Sequence, residues 1–270
     1  MNGFYERKCT MSRFLMNTVM FERNRWEPGR NPSLRVSEWM GRMQSDGFDG
    51  IELWENHALK NSDEEVEALK DHSLPVEIYN SYVGFDDDQE KERAEAAAMI
   101  RRLHPKQVKF NFGDSEASLD VYIRNLKDWK EQLPENCDLL CECHPGTVME
   151  DPNTAREVIE QLGTADVKAI IHPFHEQLNL NGWFDHLGEK IVHAHVSLFK
   201  NHAFHALEEE SDFVHERLQI LKERHYQGSF SMEFTKGVAE ADETPQEIYA
   251  HAVKDFSYLK KHLQKKGGQR

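Results

Sequence analysis

The chain has 270 residues, with 33 Lys or Arg against 48 Asp or Glu, and so carries a formal net charge of −15 with histidines neutral. A field this acidic repels duplexes and polyphosphates unless basic residues are concentrated locally, so no nucleic-acid partner is expected. Hydrophobic residues at 39% and aromatic residues at 10% supply a core and exclude global disorder.

In chain order, the first apolar run is short, flanked by charges and broken by Asn17 and Thr18. It lacks a small-residue cleavage site, so no signal peptide is expected, and a first strand is placed near 13–18. Asn31-Pro32 opens a helix with Val36, Trp39, Met40 and Met43 on one face and Gly47 at its end. A strand over Gly50–Trp54 follows, and then Ser62 and Glu65 form a capping-box pattern ahead of Val66 and Leu69. The strand Val76–Asn80 leads to a helix carrying Ala96, Met99, Ile100 and Leu103. A strand at 108–112 leads to a helix carrying Leu119, Tyr122, Ile123 and Leu126. After a strand at 139–144, Asp151-Pro152 and Gly163 bracket a helix with Ala155, Val158, Ile159 and Leu162 inward. Strands at 167–172, 191–196 and Ser229–Phe234 complete the set. Thr244-Pro245 opens the last helix, with Ile248, Ala252, Phe256, Leu259 and Leu263 along one face.

Eight strands alternating with helices imply parallel strands and right-handed crossovers, hence an α/β chain forming a single (β/α)8 TIM barrel that spans 1–270 as one domain. No apolar run approaches the ~20 residues of a membrane span. Cys9, Cys137, Cys141 and Cys143 are few, and neighbours two apart on a strand do not bridge, so a reduced, cytoplasmic setting is expected.

Side chains alternate across a strand. Leu139, Cys141 and Cys143 thus oppose Leu140, Glu142 and His144, and Val192, Ala194 and Val196 oppose His193 and His195. Phe230, Met232 and Phe234 oppose Ser231 and Glu233. Val108, Phe110 and Phe112 oppose Lys109 and Asn111, Ile51 and Leu53 oppose Glu52 and Trp54, and Val76 and Ile78 oppose Glu77 and Tyr79. The apolar sets are expected to face the helices and the polar sets the barrel interior. An antiparallel sheet with one wet face would alternate likewise, but the intervening helices oppose that reading. Ionisable groups enclosed together need pairing or a metal, so a divalent cation is expected near the carboxyl ends of the strands, where this fold keeps its active sites.

Five segments carry a resemblance: GFDGIELWENH at 47–57, CECHPGT at 141–147 before Asp151-Pro152, IIHPFH at 170–175, HAHVSLF at 193–199 and SMEF at 231–234. Nearly end to end, the chain resembles the xylose isomerase-like barrel superfamily in its sugar phosphate isomerase/epimerase branch, with endonuclease IV more distant. The resemblance implies metal ligands at Glu142, His172, His195 and Glu233, with His175 beside the substrate. Such a family usually has Asp where His172 stands, so the ligand set carries two formal charges and favours zinc, cobalt, iron or manganese over magnesium. Ser197 and Leu198 replace a usual Lys-Asp pair.

Glu142 and Glu233 are the expected catalytic acid and base of a metal-dependent isomerase or epimerase, acting on a sugar, ketose or related polyol through an enediolate. Whether His172 or His175 reaches the ion stays open. Glu52, His57, His144, Lys109 and His193 are further candidate substrate contacts, set against structural histidines and a salt bridge from Lys109 to Glu77 or Glu142. His202 and His205 are either a second metal pair or loop polars. Trp54, Phe174, Trp183 and Phe199 could cover a sugar face. The partner is a small carbohydrate, with homo-oligomerisation left open. Rival readings are an endonuclease IV-like phosphodiester hydrolase and a degenerate, non-catalytic metal-binding barrel.

Overall fold

Parallel pairing links β1 (Phe14–Asn17), β2 (Gly50–Trp54), β3 (Val76–Asn80), β4 (Gln107–Phe110), β5 (Asp138–Glu142), β6 (Val167–Ile171), β7 (Ile191–Lys200) and β9 (Ser229–Phe234), and β9 returns to β1. The ring is therefore a closed eight-stranded barrel. This is a computed structural model describing residues 12–27, 29–163 and 165–264; Cys9 lies outside the described residues. Around the ring lie α1 (Ser37–Asp46), α2 (Asn56–Leu59), α3 (Asp63–Asp71), α4 (Glu90–Leu103), α5 (Leu119–Lys130), α6 (Pro152–Leu162), α7 (Leu180–Leu187), α8 (Ser211–Glu223) and α9 (Pro245–Gln264). None of these helices is long and apolar enough to cross a membrane.

Local chemistry accounts for the helix ends. Asp151 accepts from Asn153 N and Thr154 N ahead of Pro152, and Gly163 closes α6 with φ 68°. The first helix starts at Ser37, later than Asn31-Pro32 implies, because Ser33 N is tied to the Glu22 carboxylate and the chain stays irregular up to Val36. Only half of the capping box forms. Ser62 Oγ accepts from Glu65 N at 3.3 Å, but the Glu65 carboxylate turns to Ser37 N and Ser37 Oγ, satisfying donors at the start of α1 instead.

Two apolar layers lie on either side of the strands. Leu15, Ile78, Leu140 and Ile170, with Val192 against them, make a small dry cluster. Two residues further along their strands, Glu142 and His172 follow Leu140 and Ile170 on the same face. A much larger apolar layer, including Val108, Phe110, Trp129, Cys141 and Cys143, lies under the helices.

The expected faces of the third strand are corrected. A register shift at Ile51/Glu52 sets Glu52 opposite Ile78, so Ile78 joins the inner cluster and Tyr79 the outer one. Glu77 pairs with Arg13 and Lys106 near the amino end of the strand. Leu15, Leu140 and Ile170 surround Ile78 there, so the interior takes it as readily as the outer layer would.

β7 also runs further than expected, to Lys200. Asn201 and His202, at φ 50° and 62°, form a two-residue turn into β8 (Ala203–His205), which pairs antiparallel with it. His202 is thus a turn residue, and His205 Nε2 lies 3.1 Å from Lys200 O.

Candidate metal centre at the mouth of the barrel

Four side chains that are far apart in sequence meet at the carboxyl ends of the strands. Glu142 ends β5, His172 follows β6, His195 lies in β7 and Glu233 in β9, and all four are buried. His195 Nδ1 lies 3.0 Å from Glu142 Oε1, 3.0 Å from Glu233 Oε1 and 3.4 Å from His172 Nε2. His172 Nε2 lies 3.2 Å from Glu142 Oε1 and 3.4 Å from Glu233 Oε2. Nitrogen and oxygen ligands ~2.0–2.1 Å from zinc in a tetrahedron stand about 3.3 Å apart, so these spacings suit one cation. His175 stands beside this cluster, its ring 4.6 Å from that of His172, and is not a member of it.

The electrostatics point the same way. Burial pushes the carboxyls of Glu142 and Glu233 up, but for Glu142 the Lys109 ammonium and the two imidazoles outweigh it, and for Glu233 the imidazoles do, so both are held well below the usual range. Burial pushes His172 and His195 down, and the carboxylates more than reverse it, so both are raised. Without a cation the carboxylates favour the protonated form of the imidazoles between them. A dication can take the place of that charge while the imidazoles become neutral ligands.

Around the four lies a supporting layer. Lys109, fully buried, places Nζ 2.8 Å from Glu142 Oε2 and 3.9 Å from the Tyr82 ring centroid. Asn111 Nδ2 donates to the same oxygen at 2.8 Å. Glu52 accepts from His195 Nε2 at 3.0 Å and from His193 Nε2 at 3.2 Å; its carboxyl is pushed up by burial but brought down to about 2 by the two imidazoles. His193 also meets Ser229 Oγ at 2.7 Å and Ser231 Oγ at 3.0 Å. Ser197 Oγ sits between His175 Nε2 at 2.9 Å and Glu233 Oε2 at 3.4 Å, a bridge invisible when Ser197 is read only as a missing lysine.

The remaining candidates divide by depth. Glu52, His193 and His57 have no exposed surface, and His57 is held by Thr18 Oγ1 at 2.9 Å and Glu22 Oε1 at 2.7 Å. These three are placed as supports, not as open substrate contacts, because protein groups already take their polar atoms. Lys109 is likewise enclosed, with Glu142 and not Glu77 as its partner. His144 is exposed on the rim with its ring 5.7 Å from His172, and half-buried His175 stacks on His172 at 4.6 Å. Burial, with the positive charge of His172 next, pushes His175 down to about 3, so it is a neutral imidazole. Phe174 and Trp183 belong to the outer apolar layer and so do not cover the mouth; Phe199 reaches the rim 5.8 Å from the His175 ring. Tyr82 and Asn111 complete the surroundings. Asn111 was legible from alternation, but Tyr82 lies beyond β3 and carried no signal.

A closed parallel barrel with two carboxylates and two imidazoles converging at its carboxyl-terminal mouth defines a class of protein. Residues 41–262 match the family model described as the xylose isomerase-like TIM barrel, and the chain belongs to that family. Among curated proteins it is 26% identical over 162 residues to 3-dehydroshikimate dehydratase of Bacillus anthracis; the match covers 53% of this chain and only 54% of that protein. Among solved structures, 3-keto-D-glucoside 4-epimerase from E. coli superposes with a TM-score of 0.61 at 17% identity, covering 93% of this chain and 100% of that one. The IOLI protein with a bound zinc atom superposes at 0.65 and 16% identity, covering 95% and 100%. Identities this low establish the shared fold.

Proposed function

We propose that this chain is a divalent-metal-dependent enzyme that moves a proton on a carbon next to a carbonyl in a small polyhydroxylated substrate, as an isomerase or epimerase. The convergence of Glu142, His172, His195 and Glu233 within ligand distance carries the reading. Held by these four, the metal supplies a Lewis acid for the negative charge that develops on the substrate oxygens.

The rest is done by the chain's own groups. Lys109 and Asn111 both engage Glu142 Oε2 at 2.8 Å and hold Glu142 as a carboxylate. The second oxygen of Glu233 has only 3.4 Å contacts, with His172 and Ser197, so Glu233 is the freer of the expected acid–base pair and takes up the proton. His175 connects to Glu233 through Ser197 and offers a neutral imidazole at the rim, and the exposed His144 ring stands 5.7 Å from His172. The proton that Glu233 takes up is the one returned to the substrate, from Glu233 itself or along the Ser197–His175 contacts.

Dehydration is a second reading. It shares the first proton abstraction, after which the proton taken up by Glu233 leaves with a departing hydroxyl as water; the 162-residue match to a dehydratase favours it. The net charge of −15 opposes a duplex substrate of the endonuclease kind. Incubating manganese- or zinc-loaded protein with ketoses and cyclic keto-polyols in D₂O separates the readings. Deuterium beside the carbonyl with the skeleton intact indicates isomerisation or epimerisation, and loss of water indicates dehydration. No exchange with any of them overturns proton transfer.

A further inference from the structure

The segment between β1 and α1 is clamped onto the barrel and carries two side chains to the rim. Fully buried Glu22 accepts from Ser33 N with its two oxygens, at 3.0 and 2.9 Å, while holding His57. Buried Arg25 pairs with Glu243 and donates to Val19 O and Met20 O. The conspicuous His57 of the ELWENH segment thus fixes a loop. That loop carries Trp26, 61% exposed with its ring 6.0 Å from Phe234 beside Glu233, and Arg30.

Arg30 is half-buried and lies 5.0 Å over the Tyr82 ring. The same ring is 3.9 Å from Lys109 Nζ, itself 2.8 Å from Glu142 Oε2. Three contacts therefore join Arg30 to the four-residue cluster. Among the described residues Arg30 has no carboxylate within ion-pair distance and no hydrogen-bond acceptor. Glu55, whose carboxyl feels the Arg30 charge, is buried and accepts from Ser81 Oγ at 3.1 Å. A guanidinium over a ring uses its face and leaves its edge N–H groups in the fork that fits an oxyanion with two bonds. Arg30 also has φ 31°, a conformation disfavoured for a non-glycine residue.

We propose that Arg30 anchors an oxyanion of the substrate, a carboxylate or a phosphate ester, whose polyol portion lies at the cluster of Glu142, His172, His195 and Glu233. In a chain of net charge −15, attraction of an anion depends on such a local cation. The assignment rests on the proposed reading of this mouth as a substrate site and gives that substrate its charge.

The test is binding without turnover. Metal-loaded wild type, Arg30→Gln and Arg30→Lys are titrated by calorimetry with D-fructose, D-fructose 6-phosphate and D-gluconate, which are neutral, phosphorylated and carboxylated six-carbon polyols. One anionic probe should bind wild type at least about tenfold more tightly than fructose. Arg30→Gln should lose most of that ratio and Arg30→Lys should keep part of it. The stronger anionic probe identifies the oxyanion. A preference that survives in Arg30→Gln belongs to the metal and overturns the anchor, as does a wild type with no anionic preference. Proton exchange in D₂O is read separately, so an anion preference without exchange sinks the proposed reaction and leaves the anchor standing.

Discussion

Glu52→Gln tests how the centre is held. Glu52 has no exposed surface, and its carboxylate sits 3.0 Å from His195 Nε2 and 3.2 Å from His193 Nε2. Because Nδ1 of His195 faces the cluster, the ring hydrogen must sit on Nε2, where Glu52 accepts it and fixes both tautomer and ring angle. Gln has the same shape and keeps one accepting oxygen, but it loses the charge and can serve only one of the two imidazoles. Loss of an outer carboxylate of this kind typically lowers metal affinity 10–100-fold, or about 1.4–2.7 kcal/mol. With one hydrogen bond retained, Glu52→Gln should fall near the lower end, at about tenfold weaker zinc binding, and Glu52→Ala near the upper. Competition against a chromophoric chelator measures this, with circular dichroism checking that the variant is folded. A folded Glu52→Gln protein that binds zinc within twofold of wild type would refute the argument that Glu52 orients His195.

Other consequences are testable in the same preparations. The carboxylates around them raise both His172 and His195 in the metal-free protein, so metal has to displace protons that these imidazoles hold more tightly than free ones do. Apparent zinc affinity should rise with pH, with protons released on binding; calorimetry in buffers of different ionisation enthalpy that shows no release would contradict this. Asp255, raised to about 6 by burial despite accepting from Thr235 Oγ1 at 2.6 Å and Leu207 N at 2.8 Å, behaves oppositely to a salt-bridged acid. Its raised value means that the stability it contributes is full below the unfolded value of 3.8 and lost as pH rises through about 6. Asp255→Asn should therefore gain on wild type by about 2–3 kcal/mol between acid and pH 7.5 in urea unfolding, and a difference that does not change with pH refutes it. Leu140→Ala, which opens the small inner cluster, should lose about 2–4 kcal/mol by the same measurement; a loss below ~1 kcal/mol would mean that this layer is not packed as described.

The sequence exposed the site because alternation and chain order fix two coordinates of a side chain in a barrel: the face it takes and the strand it rides on. Lys109, Glu142, His193, His195 and Glu233 were all assigned inward on that basis, and each meets another inward side chain. Where periodicity was weak, elements were missed. In α8 the buried stripe of Val214, Leu218 and Leu221 is interrupted by Arg217, which donates to Leu178 O at 2.9 Å, and α7 spans only Leu180–Leu187. The β7–β8 hairpin turns on Asn201-His202, without the glycine that would have signalled it.

Depth along the barrel axis was the coordinate that pattern could not give. Leu140 and Glu142 share a face two residues apart, yet one is packed dry with Ile78 and Ile170 while the other sits between Lys109 and two imidazoles. The same ambiguity placed Ile78 on the wrong side. It also let Glu52, His57 and His193 pass for substrate contacts, because an inward polar residue reads alike whether it meets ligand or lies beneath one that does. Inter-strand register sets that depth, as the shift between β2 and β3 shows by bringing Glu52 level with Ile78. A buried acid at that level survives only because His193 and His195 answer its charge from across the interior. The supporting layer is therefore as constrained as the ligands above it, and substitutions there should register in metal affinity before they register in fold.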